Sequence, residues 1–201
     1  TRALYRGIME DIYSTYTTAA TGTAFPFTDV AESRWSYPYI KELYDAGVVS
    51  GTSATTFSPA ANVTRAQFVT MLAGLAGADV SNCPATPFRD VPEGAWYAPY
   101  VNWALANGIV SGTSAVTFSP DASITRQDMA VMLYSYTQRF QVHLQQQPVT
   151  PFTDADSIAA YAQIAVQTLQ RAGVISGMPD GSFQPYGTAT REQACTMLCM
   201  L

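Results

Sequence analysis

Residues 47–68 read GVVSGTSATTFSPAANVTRAQF. The phrase returns at residues 108–129 as GIVSGTSAVTFSPDASITRQDM and at residues 173–194 as GVISGMPDGSFQPYGTATREQA. Each copy runs from a glycine through a short apolar stretch and a polar loop to Phe-x-Pro, then Thr-Arg and residues at helical spacing. Repetition on this scale marks supersecondary units that cannot bury an apolar face alone and must pack on one another.

Working outward, the anchors extend upstream. Phe27, Phe88 and Phe152 each precede an aspartate by two residues (Asp29, Asp90, Asp154), and Trp35, Trp96 and Tyr161 come next. The first offset is 61 residues throughout; the second is 64 at Phe88 to Phe152 and 65 from Tyr161 onward, so one residue is inserted near 155–160. The opening TRALYRGIM aligns with TRAQFVTML, TRQDMAVML and TREQACTML. Residues 1–24 therefore read as the trailing helix of a truncated preceding repeat plus a linker. Three full repeats follow at 25–80, 81–147 and 148–201, expected to form one compact domain. A boundary inside a repeat suggests a fragment of a longer protein.

Each repeat reads as helix, loop, helix. Tyr39, Ile40, Leu43 and Tyr44 keep the helical period before Gly47, as do Tyr100, Val101, Ala104 and Leu105 before Gly108, and Ile164, Ala165, Thr168 and Leu169 before Gly173. Those glycines suit left-handed C-caps. The second helices carry Phe68, Met71, Leu72 and Leu75, then Met129, Met132, Leu133 and Tyr136. Phe57, Phe118 and Phe183 of Phe-x-Pro are expected to plug the core locally. The fold class is all-α.

Composition narrows the function. With 48% apolar and 12% charged residues, the chain can fill a core. A net charge of -5 argues against nucleic-acid binding, and no apolar run approaches the ~20 residues that span a bilayer. No export signal is visible. Cys195 and Cys199 lie four apart on a helix, a poor disulfide geometry, and with Cys83 and His143 they match no usual zinc spacing. They read as small apolar core residues. Asp154-x-Asp156 resembles a paired carboxylate but is absent from the other repeats and reads as a solvated loop. No nucleophile–His pair appears, so an enzyme is not expected, and neither a metal nor a cofactor is called for.

Thr64, Thr125 and Thr190 stand where an N-cap should, with Gln67, Asp128 and Gln193 three residues on. Threonine and glutamine at this spacing make a capping box, for which the Asp128 side chain is short. Arg65, Arg126 and Arg191 are left over. At the first helical position a cation opposes the macrodipole by ~0.3–1 kcal/mol, yet four of nine arginines follow a threonine in this way, Arg2 among them. Two partners fit equally: an acidic group of the fold, such as the Phe-x-Asp carboxylates, or an external anion shared with helix-start amides. Gly51, Gly112 and Gly177 permit close backbone approach, either to a ligand or to form a turn.

Phe-x-Asp, the aromatic, Gly-(Val/Ile)-(Val/Ile)-x-Gly, Phe-x-Pro and Thr-Arg together resemble the S-layer homology repeat, from Phe27 to Leu201. The resemblance implies three repeats in a pseudo-threefold helical bundle with grooves between them. It implies a non-catalytic module that anchors a larger, extracellular surface protein to the bacterial cell wall or S-layer. Its partner would be an acidic, typically pyruvylated, secondary cell-wall polysaccharide. The family's Thr-Arg-Ala-Glu arginine reads the anionic sugar, a role that falls here to Arg65, Arg126 and Arg191, with Arg2 added if its half unit docks. Thr64, Thr125, Thr190, Gln67, Asp128, Gln193, Gly51, Gly112 and Gly177 share those grooves. Trp35 and Trp96 join them as sugar-stacking candidates, although core or groove wall is the simpler reading. Asp29, Asp90 and Asp154 read as helix caps or braces of a neighbouring backbone. Gln67, Asp128 and Gln193 replace the family's closing Glu, so the three grooves are expected to differ in binding, down to silence in some. The competing readings are peptidoglycan binding, or a structural or protein-interaction scaffold with the arginines in internal salt bridges.

Overall fold

The first helix of each repeat begins without a side-chain cap. In α1 (Tyr37–Asp45) and α3 (Ala98–Ala106) a proline, Pro38 or Pro99, occupies the first turn, where its missing N–H costs nothing. The third, α5 (Gln163–Arg171), follows a 3-10 turn at Ala155–Ser157, where the inserted residue falls. All three stop the same way. Gly47, Gly108 and Gly173 sit at φ +70, +69 and +74, and the amides of Gly47 and Val48 return to the carbonyls of Tyr44 and Leu43. Gly108 with Ile109 and Gly173 with Val174 repeat the motif, so only a residue tolerating left-handed backbone fits there.

The second helices, α2 (Arg65–Leu75), α4 (Arg126–Arg139) and α6 (Arg191–Cys199), start at the predicted threonines. The computed structural model describes residues 25–201, and the reading of residues 1–24, with Arg2, lies outside them. Among the described residues there are six α-helices and no sheet, so the class is all-α.

Each second helix packs on the first helix of the next repeat: α2 on α3, α4 on α5, and α6 back on α1. The chain thus closes a ring. At its centre the amide of Val63 donates to Ala189, that of Ile124 to Val63, and that of Ala189 to Ile124, at 3.0, 3.0 and 3.3 Å. Val63, Ile124 and Ala189 occupy equivalent positions, so the pseudo-threefold axis passes through a cycle of main-chain bonds.

Phe57, Phe118 and Phe183 are fully buried, each against the Phe-x-Asp phenylalanine of its own repeat, with ring centroids 5.5, 5.8 and 5.2 Å apart. Gly112 shows why glycine precedes this pair. A Cβ there would lie 2.6 Å from Phe88 Cε1 and 2.2 Å from the Ser114 carbonyl. The glycine serves the turn.

One expectation about the core is corrected. Ile164 is exposed, and α5 buries Ala165, Val166 and Leu169 instead. Ile164 lies in the first turn, off the face that Leu169 presents to α4. Trp35 and Trp96 are 56% and 60% exposed, which removes the core from their readings and leaves groove wall or sugar face. They precede the helices that face the core, in turns that turn them outward.

Candidate functional site: three inter-repeat grooves

The site is built on the Phe-x-Pro peptide. Both oxygens of Asp29 accept amides, from Phe57 at 2.8 Å and Ser58 at 2.7 Å. Asp90 holds Phe118 and Ser119 likewise, and Asp154 holds Phe183 and Gln184. The aspartates therefore brace backbone, 28 to 30 residues away. The braced middle residue is strained: Ser58, Ser119 and Gln184 lie at φ +58, +59 and +57, the left-handed region that side chains resist. Burial raises the Asp90 carboxyl, but the Phe118 and Ser119 amides outweigh it and hold the pKa below the ordinary range.

With its amide side held by its own repeat, the peptide offers its carbonyl to the preceding one. Arg65 Nε donates to Phe118 O at 2.9 Å and Nη2 to Ser111 O at 3.4 Å. Arg126 binds Phe183 O and Ser176 O at 2.7 and 3.0 Å. Arg191 binds Phe57 O and Ser50 O, both at 2.8 Å. Each guanidinium also lies over the phenyl ring of the phenylalanine it binds, at 4.8, 4.9 and 4.4 Å. Ion pairs with the Phe-x-Asp carboxylates, the internal candidates, do not form; those oxygens accept loop amides. The arginines instead ride on neutral carbonyls.

The three arginines are 4 to 6% exposed. Burial lowers their pKa values from the ordinary range and outweighs the negative charges that raise them, but arginine stays charged. Among the described residues, neither Arg126 nor Arg191 has a carboxylate within 4 Å. Each is a buried cation whose hydrogen bonds go to neutral carbonyls.

The helix-start amides are not free to help. Arg65 N and Ala66 N donate to Ala122 O and Pro120 O, Arg126 N and Gln127 N to Gly187 O and Pro185 O, and Arg191 N and Glu192 N to Ala61 O and Pro59 O. The threonine hydroxyls accept the next amides, from Gln67, Asp128 and Gln193, at 3.2 to 3.3 Å. Expecting those amides to hold an anion was wrong, since the next loop fills the position.

The residues three beyond the threonines then part company. Gln67 and Gln193 return their side-chain oxygens to the Thr64 and Thr190 amides and complete capping boxes. Asp128, as expected, does not. Its carboxylate accepts the Tyr161 hydroxyl at 2.7 Å and lies 3.6 Å from Arg65 Nη1. These residues line a cavity of about 360 Å³ with Ser111, Gly112, Thr113 and Met132. Burial, then the bond to Asp128, pushes the Tyr161 hydroxyl up to about 12. The groove draws on three repeats: the arginine from one, loop and helix from the second, and the aromatic from the third. The positions equivalent to these about the pseudo-threefold axis are Arg126, Gln193 and Trp35, and Arg191, Gln67 and Trp96.

Sequence reasoning missed Glu192. It is 7% exposed and accepts Arg34 Nε and Nη2 at 2.8 and 2.9 Å and Ser36 Oγ at 2.6 Å. This bidentate clasp ties the third repeat to the first, and its only sequence signal is an acid inside Thr-Arg-Glu-Gln. Cys83, Cys195 and Cys199 are free, with Cys195 buried as expected of a core residue. Among the described residues, no three His, Cys, Asp or Glu side chains are grouped to hold a metal.

The model of the S-layer homology domain matches residues 26–69, 87–130 and 151–195. The chain is 39% identical over 191 residues to an endoglucanase of Bacillus sp. strain KSM-635, covering 94% of this chain and 20% of that protein. It is 26% identical over 198 residues to an S-layer protein of Bacillus thuringiensis subsp. finitimus, covering 98% and 23%. A cellulosome-anchoring protein of Acetivibrio thermocellus is 28% identical over 157 residues, covering 76% and 35%. The chain thus spans between a fifth and about a third of these relatives.

Proposed function

The chain belongs to the S-layer homology domain family, which places it at the cell surface; from that premise we propose that it anchors a larger protein by binding an acidic cell-wall polysaccharide in its inter-repeat grooves. One observation carries the reading. Arg126 and Arg191 are buried cations bonded to neutral carbonyls, and in their grooves the matching aromatic, Trp35 or Trp96, is exposed. A glycan carboxylate, such as a pyruvate ketal, supplies the missing negative charge, and the indole supplies a face for the sugar ring.

The reading is of a non-catalytic module. Asp154, half of the Asp-x-Asp pair, spends both oxygens on loop amides, and the endoglucanase relative extends far beyond the segment this chain matches. The scaffold alternative has an observation of its own: Arg65, Arg126 and Arg191 each clasp two carbonyls of the next repeat, a sufficient structural reason for their presence.

Co-sedimentation with purified cell wall, before and after chemical removal of pyruvate, tests the choice. Anchoring predicts binding to intact wall and its loss after depyruvylation. Undiminished binding to depyruvylated wall would point to peptidoglycan, and no binding to either would leave the scaffold.

A further inference from the structure

Three grooves of the same plan do not carry the same charge. In two of them the third residue beyond the cap is glutamine, long enough to bond the backbone of its own threonine. In the third, Asp128 falls short of that bond and turns its carboxylate to Arg65 Nη1 and the Tyr161 hydroxyl. Those are the groups that the glycan reading assigns to the ligand: the guanidinium edge left free by the loop, and the aromatic at the tryptophan position. The Arg65 groove therefore already holds a carboxylate where the Arg126 and Arg191 grooves lack one.

We propose that Asp128 is a built-in occupant that locks the Arg65 groove, so that the chain takes acidic glycan in the Arg126 and Arg191 grooves only. This rests on the glycan reading above. An incoming carboxylate at Arg65 must displace a tethered one or sit beside it as a like charge, and either event discriminates against binding. The cavity beside Asp128 remains open, so the lock is electrostatic rather than steric. It also accounts for tyrosine at position 161: a phenol donates to a carboxylate in a way that an indole ring placed for sugar stacking need not.

The test uses a synthetic methyl hexoside carrying a pyruvate ketal as probe, titrated into the full chain by calorimetry and by NMR of aromatic side chains. Wild type is expected to take two equivalents, shifting the Trp35 and Trp96 indole signals and leaving Tyr161 unmoved. Asp128→Gln, which copies the other repeats and their capping box, is expected to take three and to bring Tyr161 into the titration. Gln193→Asp is expected to take one and to leave Trp35 unmoved. Three equivalents on wild type, or two on a folded Asp128→Gln chain, overturn the lock while the glycan reading stands. A wild type that takes none overturns the glycan reading, and the lock falls with it.

Discussion

Arg191 Nε donates to the carbonyl of Phe57, 134 residues earlier in the chain, at 2.8 Å. That bond joins the last repeat to the first and makes the repeats a ring rather than an open stack. An open stack has ends that fray, since each unit contacts only its neighbours. In the ring every second helix has a following loop to clasp.

Arg191→Ala should therefore act on the whole molecule. It removes two charge-assisted hydrogen bonds, of ~1.5–3 kcal/mol each in typical contexts, and a ring contact. A loss of about 3 kcal/mol is expected in urea unfolding monitored by circular dichroism. The transition should also broaden as the ends separate. A midpoint within error of wild type would show that the clasp does not hold the ring.

The strained Phe-x-Pro residue makes a second case. Ser119 at φ +59 is held by Asp90 through its amide. Asp90→Ala should cost about 2 kcal/mol by stranding two amides, whereas Ser119→Gly should be neutral or gain up to ~1 kcal/mol by relieving the left-handed backbone. Thermal unfolding of the two variants separates brace from strain. A destabilised glycine variant would mean that the Ser119 hydroxyl, 2.8 Å from Thr113 Oγ1, matters more than its backbone.

Much of this was legible because it is local. Gly47, Gly108 and Gly173 end helices through bonds within six residues, and Thr64 and Thr190 cap them through bonds to the third residue on. Arg65 was legible as an anomaly but not as a solution: its partners are main-chain carbonyls, which every residue carries, so no pattern distinguishes Phe118 O. Trp35 and Trp96 read as core, groove wall or sugar face, since only tertiary packing sets which way their turn faces. Glu192 and Arg34 stand 158 residues apart, and neither carries a mark of the other.

Their pairing gives a pH dependence. Burial raises the Glu192 carboxyl, but Arg34 and Ser36 outweigh it and leave its pKa below the ordinary value. A depressed folded pKa means stability that is complete above the unfolded value of ~4.3 and lost as pH falls through the folded one. With Arg34 about a third exposed, a contribution near the low end for charged hydrogen bonds, about 1.5 kcal/mol, is expected. Wild type should exceed Glu192→Gln by that amount at pH 7, and the two should converge below pH ~4. A gap unchanged down to pH 3 would place its origin in packing rather than in charge.

The exposed tryptophans separate stability from binding. Side chains 56% and 60% exposed contribute little to folding, so Trp35→Ala and Trp96→Ala should each unfold within about 0.5 kcal/mol of wild type. If they stack on sugar, an aromatic contact of ~1.5 kcal/mol predicts a roughly tenfold weaker site for each. The double variant should then release cell wall at protein concentrations where wild type is retained. Tyr161→Ala is the internal control, because the tyrosine already serves Asp128: it should leave wall retention near wild type. Equal losses for all three would make the grooves equivalent, against the charge difference that Asp128 builds into one of them.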